Sequence, residues 1–103
     1  MPVFRTKKQV YQWIKRGEKT IELRSGKSLN GDNITFLSGR GQTIKARILR
    51  RQEGKLEDLL NAATFRKIVP SAKSLDEALT FVREIYPLAD GMFTTYEFQL
   101  DEE

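Results

Sequence analysis

Between residues 19 and 52 the chain falls three times into strand-like alternation, over about 19–24, 33–37 and 42–52. The connections, Ser25–Gly31 with Asp32 and then Ser38–Gly41, are short and glycine-bearing. Connections like these make hairpins, whereas a parallel βαβ unit needs a crossover of a dozen or more residues. The flanks read as helices. Thr6 is an expected N-cap for a helix to about Arg16, with Val10, Trp13 and Ile14 as its buried stripe and Gly17 as its stop. A short helix is expected from Leu56 to Ala62, with Phe65, Ile68 and Val69 packed behind it. Ser74 and Glu77 have the spacing of a capping box for a helix to about Tyr86, with Pro87 beyond its end. A last strand follows over about Met92–Leu100, then a short acidic tail. The predicted class is α+β: one domain over residues 1–103, a small and mostly antiparallel β-barrel decorated by about three helices.

The first strand carries an unusual load of charge. Gly17-Glu18-Lys19-Thr20-Ile21-Glu22-Leu23-Arg24 places Ile21 and Leu23 on one face and Thr20, Glu22 and Arg24 on the other, with same-face neighbours about 7 Å apart. Lys19 shares the parity of Ile21 and Leu23, which predicts a pleat irregularity or a position at the barrel's end. In the second strand Ile34 and Phe36 share a face. In the third, Ile44, Ala46 and Ile48 point inward, and Thr43, Lys45, Arg47 and Arg51 form an outward row that is mostly basic.

Composition removes whole classes of chemistry. With no cysteine and no histidine, the chain has no thiol nucleophile, no thiolate metal site and no imidazole base. Neither a cofactor nor a metal is called for, and any catalysis runs on Lys, Glu, Asp, Ser, Thr or Tyr. Residues 1–55 hold 14 Lys/Arg against four Asp/Glu, whereas residues 56–103 hold four against 10. A basic first half suits a polyanion. No apolar run approaches the length of a membrane span, and Met1–Arg5 lacks the apolar core of a signal peptide. A cytoplasmic protein without a membrane partner is expected, monomeric rather than oligomeric.

Gly17-x-Lys19-x-x-Glu22-x-Arg24 matches every fixed position of the GxKxxExR motif of the ASCH domain, a family similar to PUA domains. The helix with Tyr11 and Trp13 before the motif, Gly31-Asp32 opening the next strand, and Val69-Pro70 before Ser74-Leu75-Asp76-Glu77-Ala78 resemble the same family. The resemblance covers nearly the whole chain. It implies a β-barrel with capping helices and a cleft beside the motif strand. It also implies RNA or a nucleotide-sized piece of it as ligand, with Lys19, Thr20, Glu22, Arg24, Lys45, Arg47, Arg51 and Tyr11 as candidate binding residues. Lys7, Lys8, Lys15 and Lys27 are outer contributors, and Trp13 reads as core.

Two further functions stay open. Some members are amidohydrolases on N4-acetylcytidine or ribonucleases, and an enzyme here would use Lys19 and Glu22 without a metal. The amidohydrolases this chain resembles have a threonine where it has Glu22, and a glutamate near Val69–Ala72. A carboxylate beside Lys19 is expected to raise the lysine's pKa and hold it protonated. The other alternative is a protein-interaction module.

Overall fold

The computed structural model describes residues 3–86 and 91–101. Its elements are β1 (Val3–Arg5), α1 (Lys8–Lys15), β2 (Ile21–Ser25), β3 (Asn33–Leu37), β4 (Thr43–Lys55), α2 (Leu56–Leu59), α3 (Phe65–Ile68), α4 (Leu75–Ile85) and β5 (Met92–Leu100). The five strands form one sheet in the order β1-β3-β4-β5-β2. Among the described residues only the β1–β3 pairing is parallel. The sheet curls into a half-barrel, and four helices are described where about three were expected.

The hairpin reading of residues 33–52 holds. Ser38 N donates to Gln42 O across the turn, and Gly41, at φ +81°, takes the left-handed conformation that closes it. The β2–β3 pair does not form a hairpin. β2 leaves for the opposite edge, where it pairs with β5 from Ile21↔Glu97 to Ser25↔Phe93.

Two apolar clusters result from the curl. Inside it lie Phe4, Ile14, Ile34, Phe36, Ala46, Tyr96 and Phe98. On the other face, Ile21, Leu23 and Phe93 meet Leu56, Leu60, Ile68, Val69, Ala78 and Val82 from the helical side. Helix α1 bridges the two, with Trp13 in the helical cluster and Ile14 in the curl. Ser74 caps α4 as expected, its Oγ accepting from Glu77 N at 3.2 Å.

Several expectations are corrected. β1 was not anticipated, and its pairing with β3 runs on into Thr6, whose N and Oγ1 both donate to Leu37 O. Thr6 therefore does not cap α1. Lys7 stands at the N-cap and offers no side-chain bond. Tyr11 replaces Val10 in the fully buried stripe of α1. Helix α2 stops at Leu59, where Thr64 Oγ1 donates to Leu59 O and the chain turns through Asn61. β4 runs on to Lys55, with an irregularity between Ile48 and Arg50 that alters its parity. Arg51, opposite Tyr96, thereby leaves the outward row of Lys45 and Arg47 and turns to the inner side. Pro87 and the last two acidic residues lie outside the described residues.

Candidate functional site

The site begins where α1 ends. Gly17 takes φ +77°, and the N–H groups of Glu18 and Lys19 both turn back onto Trp13 O. That turn sends the chain past α3, where Thr20 N donates to Lys67 O and Lys19 Nζ to Ile68 O at 2.6 Å. Lys19 thus sits at the C-terminal carbonyls of a short helix, where the helix end favours a cation. Its side chain lies 3.4 Å from Glu22 Oε1, and both residues are buried, at 4% and 5% exposure.

Ile21 and Leu23 face the helical cluster and Glu22 and Arg24 the opposite side, as the alternation predicts. The opposite side is the interior of the curl, so Glu22 is as buried as the core. Its Oε2 accepts from Arg24 Nη2 at 2.9 Å and Nε at 3.2 Å, and its Oε1 from Leu23 N. Arg24 then spans the open side of the half-barrel. Its Nη2 also donates to Arg5 O at 3.0 Å, and its Cζ stands 4.4 Å from the Phe4 ring centroid. One guanidinium therefore ties edge strand β2 to edge strand β1. Tyr86, just after α4, brings its hydroxyl to the same guanidinium and to the Ser25 backbone. Burial raises its pKa while Arg24 opposes the shift.

This cluster forms the polar side of a cavity of about 140 Å³. Val10, Trp13, Phe81, Val82 and Ile85 give it apolar walls, and the exposed Arg5 and Lys7 also line it. Of the expected binding residues, Lys19, Glu22 and Arg24 meet there. Thr20 is half-buried beside the cavity, and its backbone is engaged, the carbonyl accepting from Phe98 N. Lys45 and Arg47 are exposed on β4, away from the cavity, and Arg47 reaches Gln99 at 3.4 Å. The Nε and Nη2 of Arg51 are buried without a protein partner, also away from the cavity. Tyr11 is 6% exposed and lines a neighbouring hollow, so its ring presents no open face for stacking. Sequence reasoning missed Arg5, Phe81, Ile85 and Tyr86. Arg5 takes part through its carbonyl, which no residue pattern reveals. Phe81 and Ile85 recur at the four-residue spacing of one helix face, a signal that was available.

Lys19 also corrects an expectation. Its pKa is lowered from the ordinary 10.5, because loss of solvation by burial outweighs the attraction of Glu22. The unfolded chain thus holds this proton more tightly than the native protein does, so Lys19's contribution makes stability rise with pH up to about 10.5. Wild type is expected to gain on Lys19→Met when urea unfolding is compared at about pH 7 and about pH 10. A gap between the two proteins that stays constant or moves the other way contradicts this.

No family model matches the chain, and no curated protein matches it in sequence. Solved structures do match. The hypothetical protein PH0355 superposes with a TM-score of 0.76 at 15% identity, over 96% of this chain and 97% of that one. ASCH from Zymomonas mobilis superposes at 0.69 and 18% identity, over 94% and 65%. The fold is ASCH-like. A further neighbour is protein EF3133 from Enterococcus faecalis V583, of DUF984, at 0.70 and 13% identity over 98% and 76%. The chain spans about two thirds of the length of the Zymomonas protein. Among the described residues no helix is long and apolar enough to cross a membrane, and no group of acidic residues is placed to hold a metal ion.

Proposed function

We propose that this ASCH-like domain binds RNA, or a nucleoside-sized piece of it, by taking one base into the cavity beside the Gly17–Arg24 strand. The observation that carries the reading is the cavity's size and two-sided chemistry. Its volume of about 140 Å³ is close to that of an engineered apolar cavity of about 150 Å³ that admits benzene. A single ring fits this space, and a sugar-phosphate does not. Trp13, Phe81 and Ile85 supply an apolar lining, while Lys19 and Arg24 supply donors. Glu22 is already engaged on both oxygens, so the site favours a ligand that presents acceptors, as a pyrimidine presents its ring carbonyl.

The lowered pKa of Lys19 supports a second reading, hydrolysis of an acylated nucleoside. A neutral amine has two N–H groups, matching the two acceptors around Nζ, Ile68 O and Glu22 Oε1, and leaves its lone pair free. In that mechanism Lys19 takes a proton from water, and the hydroxide adds to the acyl carbonyl. The C–N bond then breaks as the proton passes to the departing amine. One experiment addresses both readings: titration with the four ribonucleosides and N4-acetylcytidine, with chromatography of the last. Saturable binding with pyrimidines ahead of purines is expected. Acetate release that disappears in Lys19→Met assigns the enzymatic role, and binding without release assigns a binding module. No binding of any nucleoside or short RNA at low salt defeats both.

A further inference from the structure

The inner face of β4 and β5 carries polar side chains that the base cavity does not use. Arg51 lies opposite Tyr96 and Glu53 opposite Thr94, so the four share the concave side of the sheet. The loop Gly26–Gly31 is tied down over this face by side chains from both strands. Thr94 Oγ1 donates to Gly26 O at 2.7 Å, Ser28 N to Glu53 Oε2 at 2.7 Å, and Leu29 N to the Tyr96 hydroxyl at 3.0 Å. Tyr96 and Glu53 are the neighbours of Arg51 across and along the sheet, so the loop is bound on two sides of it. Gly26 at φ +98° and Gly31 at φ +112° take the left-handed conformation at its two ends. No side chain of the loop belongs to either apolar cluster. It is a strap held by hydrogen bonds between two glycine hinges.

Arg51 is left incomplete beneath that strap. Its Nε and Nη2 are buried, and among the described residues they are the only buried side-chain nitrogen or oxygen atoms without a partner. Neither ion pair among the described residues involves it. Leaving buried donors of a charged group unmade is costly, and native structures seldom do so. The two atoms form one edge of the guanidinium, the same edge with which Arg24 holds Glu22. Such an edge presents two parallel N–H groups, which match the two oxygens of one carboxylate or phosphate. The irregularity between Ile48 and Arg50 is what aims it inward, away from the outer row of Lys45 and Arg47.

We propose that Arg51 anchors a second ligand site, which takes the carboxylate of a short aliphatic acid beneath the Gly26–Gly31 strap. Charge decides between the two oxyanions. Glu53 stands about 7 Å along the same face of β4, which disfavours the second negative charge of a phosphate. Ile48 points inward on the next register pair, and Leu29 of the strap is 48% exposed, so apolar surface for a short chain lies beside the fork. The strap swings on its glycines to admit the acid and closes over it. The site is separate from the base cavity, which Arg51 does not line, and does not depend on what that cavity binds.

The test follows the arginine Nε–H signals of the full chain by nuclear magnetic resonance, with butyrate, acetate, inorganic phosphate and chloride added at equal ionic strength. Expected is a saturable shift of the Arg51 signal with butyrate, a smaller one with acetate, and none with phosphate or chloride. Butyrate should raise the melting temperature of wild type and of Arg50→Gln, whose side chain lies on the outer face opposite Glu97, but not of Arg51→Gln. Glu53→Gln keeps an acceptor for Ser28 N and removes the neighbouring charge, so butyrate should bind at least about threefold more tightly. These two readouts decide the matter even where Arg51→Gln does not fold. A signal that no anion moves means a fork satisfied by water, and overturns the site. A signal moved by Glu53→Gln and by no anion makes Glu53 the partner of Arg51 in solution, with the same consequence. A larger shift with phosphate than with butyrate overturns the carboxylate assignment, and an undiminished melting gain in Arg51→Gln places butyrate elsewhere.

Discussion

Glu22→Leu is expected to destabilise the protein by about 3–5 kcal/mol, the cost of breaking a buried ion pair from one side. The carboxylate answers two cations at once, Lys19 at 3.4 Å and Arg24 at 2.9 Å. Its removal leaves the buried Lys19 amine with only the Ile68 carbonyl and frees a guanidinium that is 28% exposed. For a domain with a total stability of about 5–15 kcal/mol, such a loss is a large share of the whole. The second half of the prediction separates organisation from function. Lys19→Met/Glu22→Leu removes the buried charges together, and apolar replacement of buried ion pairs is often neutral or better. Arg24 keeps Arg5 O and the Phe4 ring, so the double variant is expected to recover most of the lost stability while losing nucleoside binding. Urea unfolding of the three proteins, alongside the nucleoside titration, checks it. A Glu22→Leu protein as stable as wild type would show that the carboxylate does not organise this face. A double variant that still binds would place the ligand elsewhere.

How much of this was legible in the sequence depends on how local each cause is. The parity of β2 was readable because it comes from consecutive residues: Ile21 and Leu23 do face one way, and Glu22 and Arg24 the other. That this polar face lies covered was not readable locally, because the curl of the sheet, set by pairings up to 76 residues apart, closes over it. Arg51 is a comparable case. The residues from Ile48 to Arg50 carry no glycine and no turn signal, yet an irregular pairing there reverses the direction of everything after it. β1 escaped because three residues make no periodic pattern, and its partner β3 lies about thirty residues further on. Thr6, a reasonable cap by composition, is held as an extension of that same strand. The charged octapeptide was therefore findable, and the wall that faces it was not. Arg5 O comes from β1 and Phe81 and Tyr86 from α4 and its C-terminal end, and they meet the octapeptide only in the folded protein.

That dependence on a distant edge strand makes the second large effect one of packing. Phe36→Ala is expected to cost about 3–5 kcal/mol, the usual range for emptying an aromatic site in a core. Phe36 is fully buried, and its ring lies 6.3 Å from Phe4 and 4.9 Å from Phe98. It also sits at the centre of the three-residue register, opposite Phe4, that holds β1 to β3. β1 is three residues long and has no other partner among the described strand pairings, so side-chain packing carries much of its attachment. Weakening that contact loosens Arg5 O and the Phe4 ring, which are the points where Arg24 closes the half-barrel. Nucleoside affinity should consequently fall in Phe36→Ala although Phe36 does not line the cavity. Phe36→Leu, which retains most of the volume, should recover both stability and affinity to within about 1.5 kcal/mol of wild type. Ile34→Val offers the matching control, since Ile34 is equally buried in the same strand, two residues before Phe36 and opposite Ala46 of β4. Its cost of about 0.5–1.5 kcal/mol should come without a change in affinity. If Phe36→Ala lost stability yet bound nucleoside as wild type does, the Arg24 closure would not depend on β1, and the cavity would be organised from β2 and the helices alone.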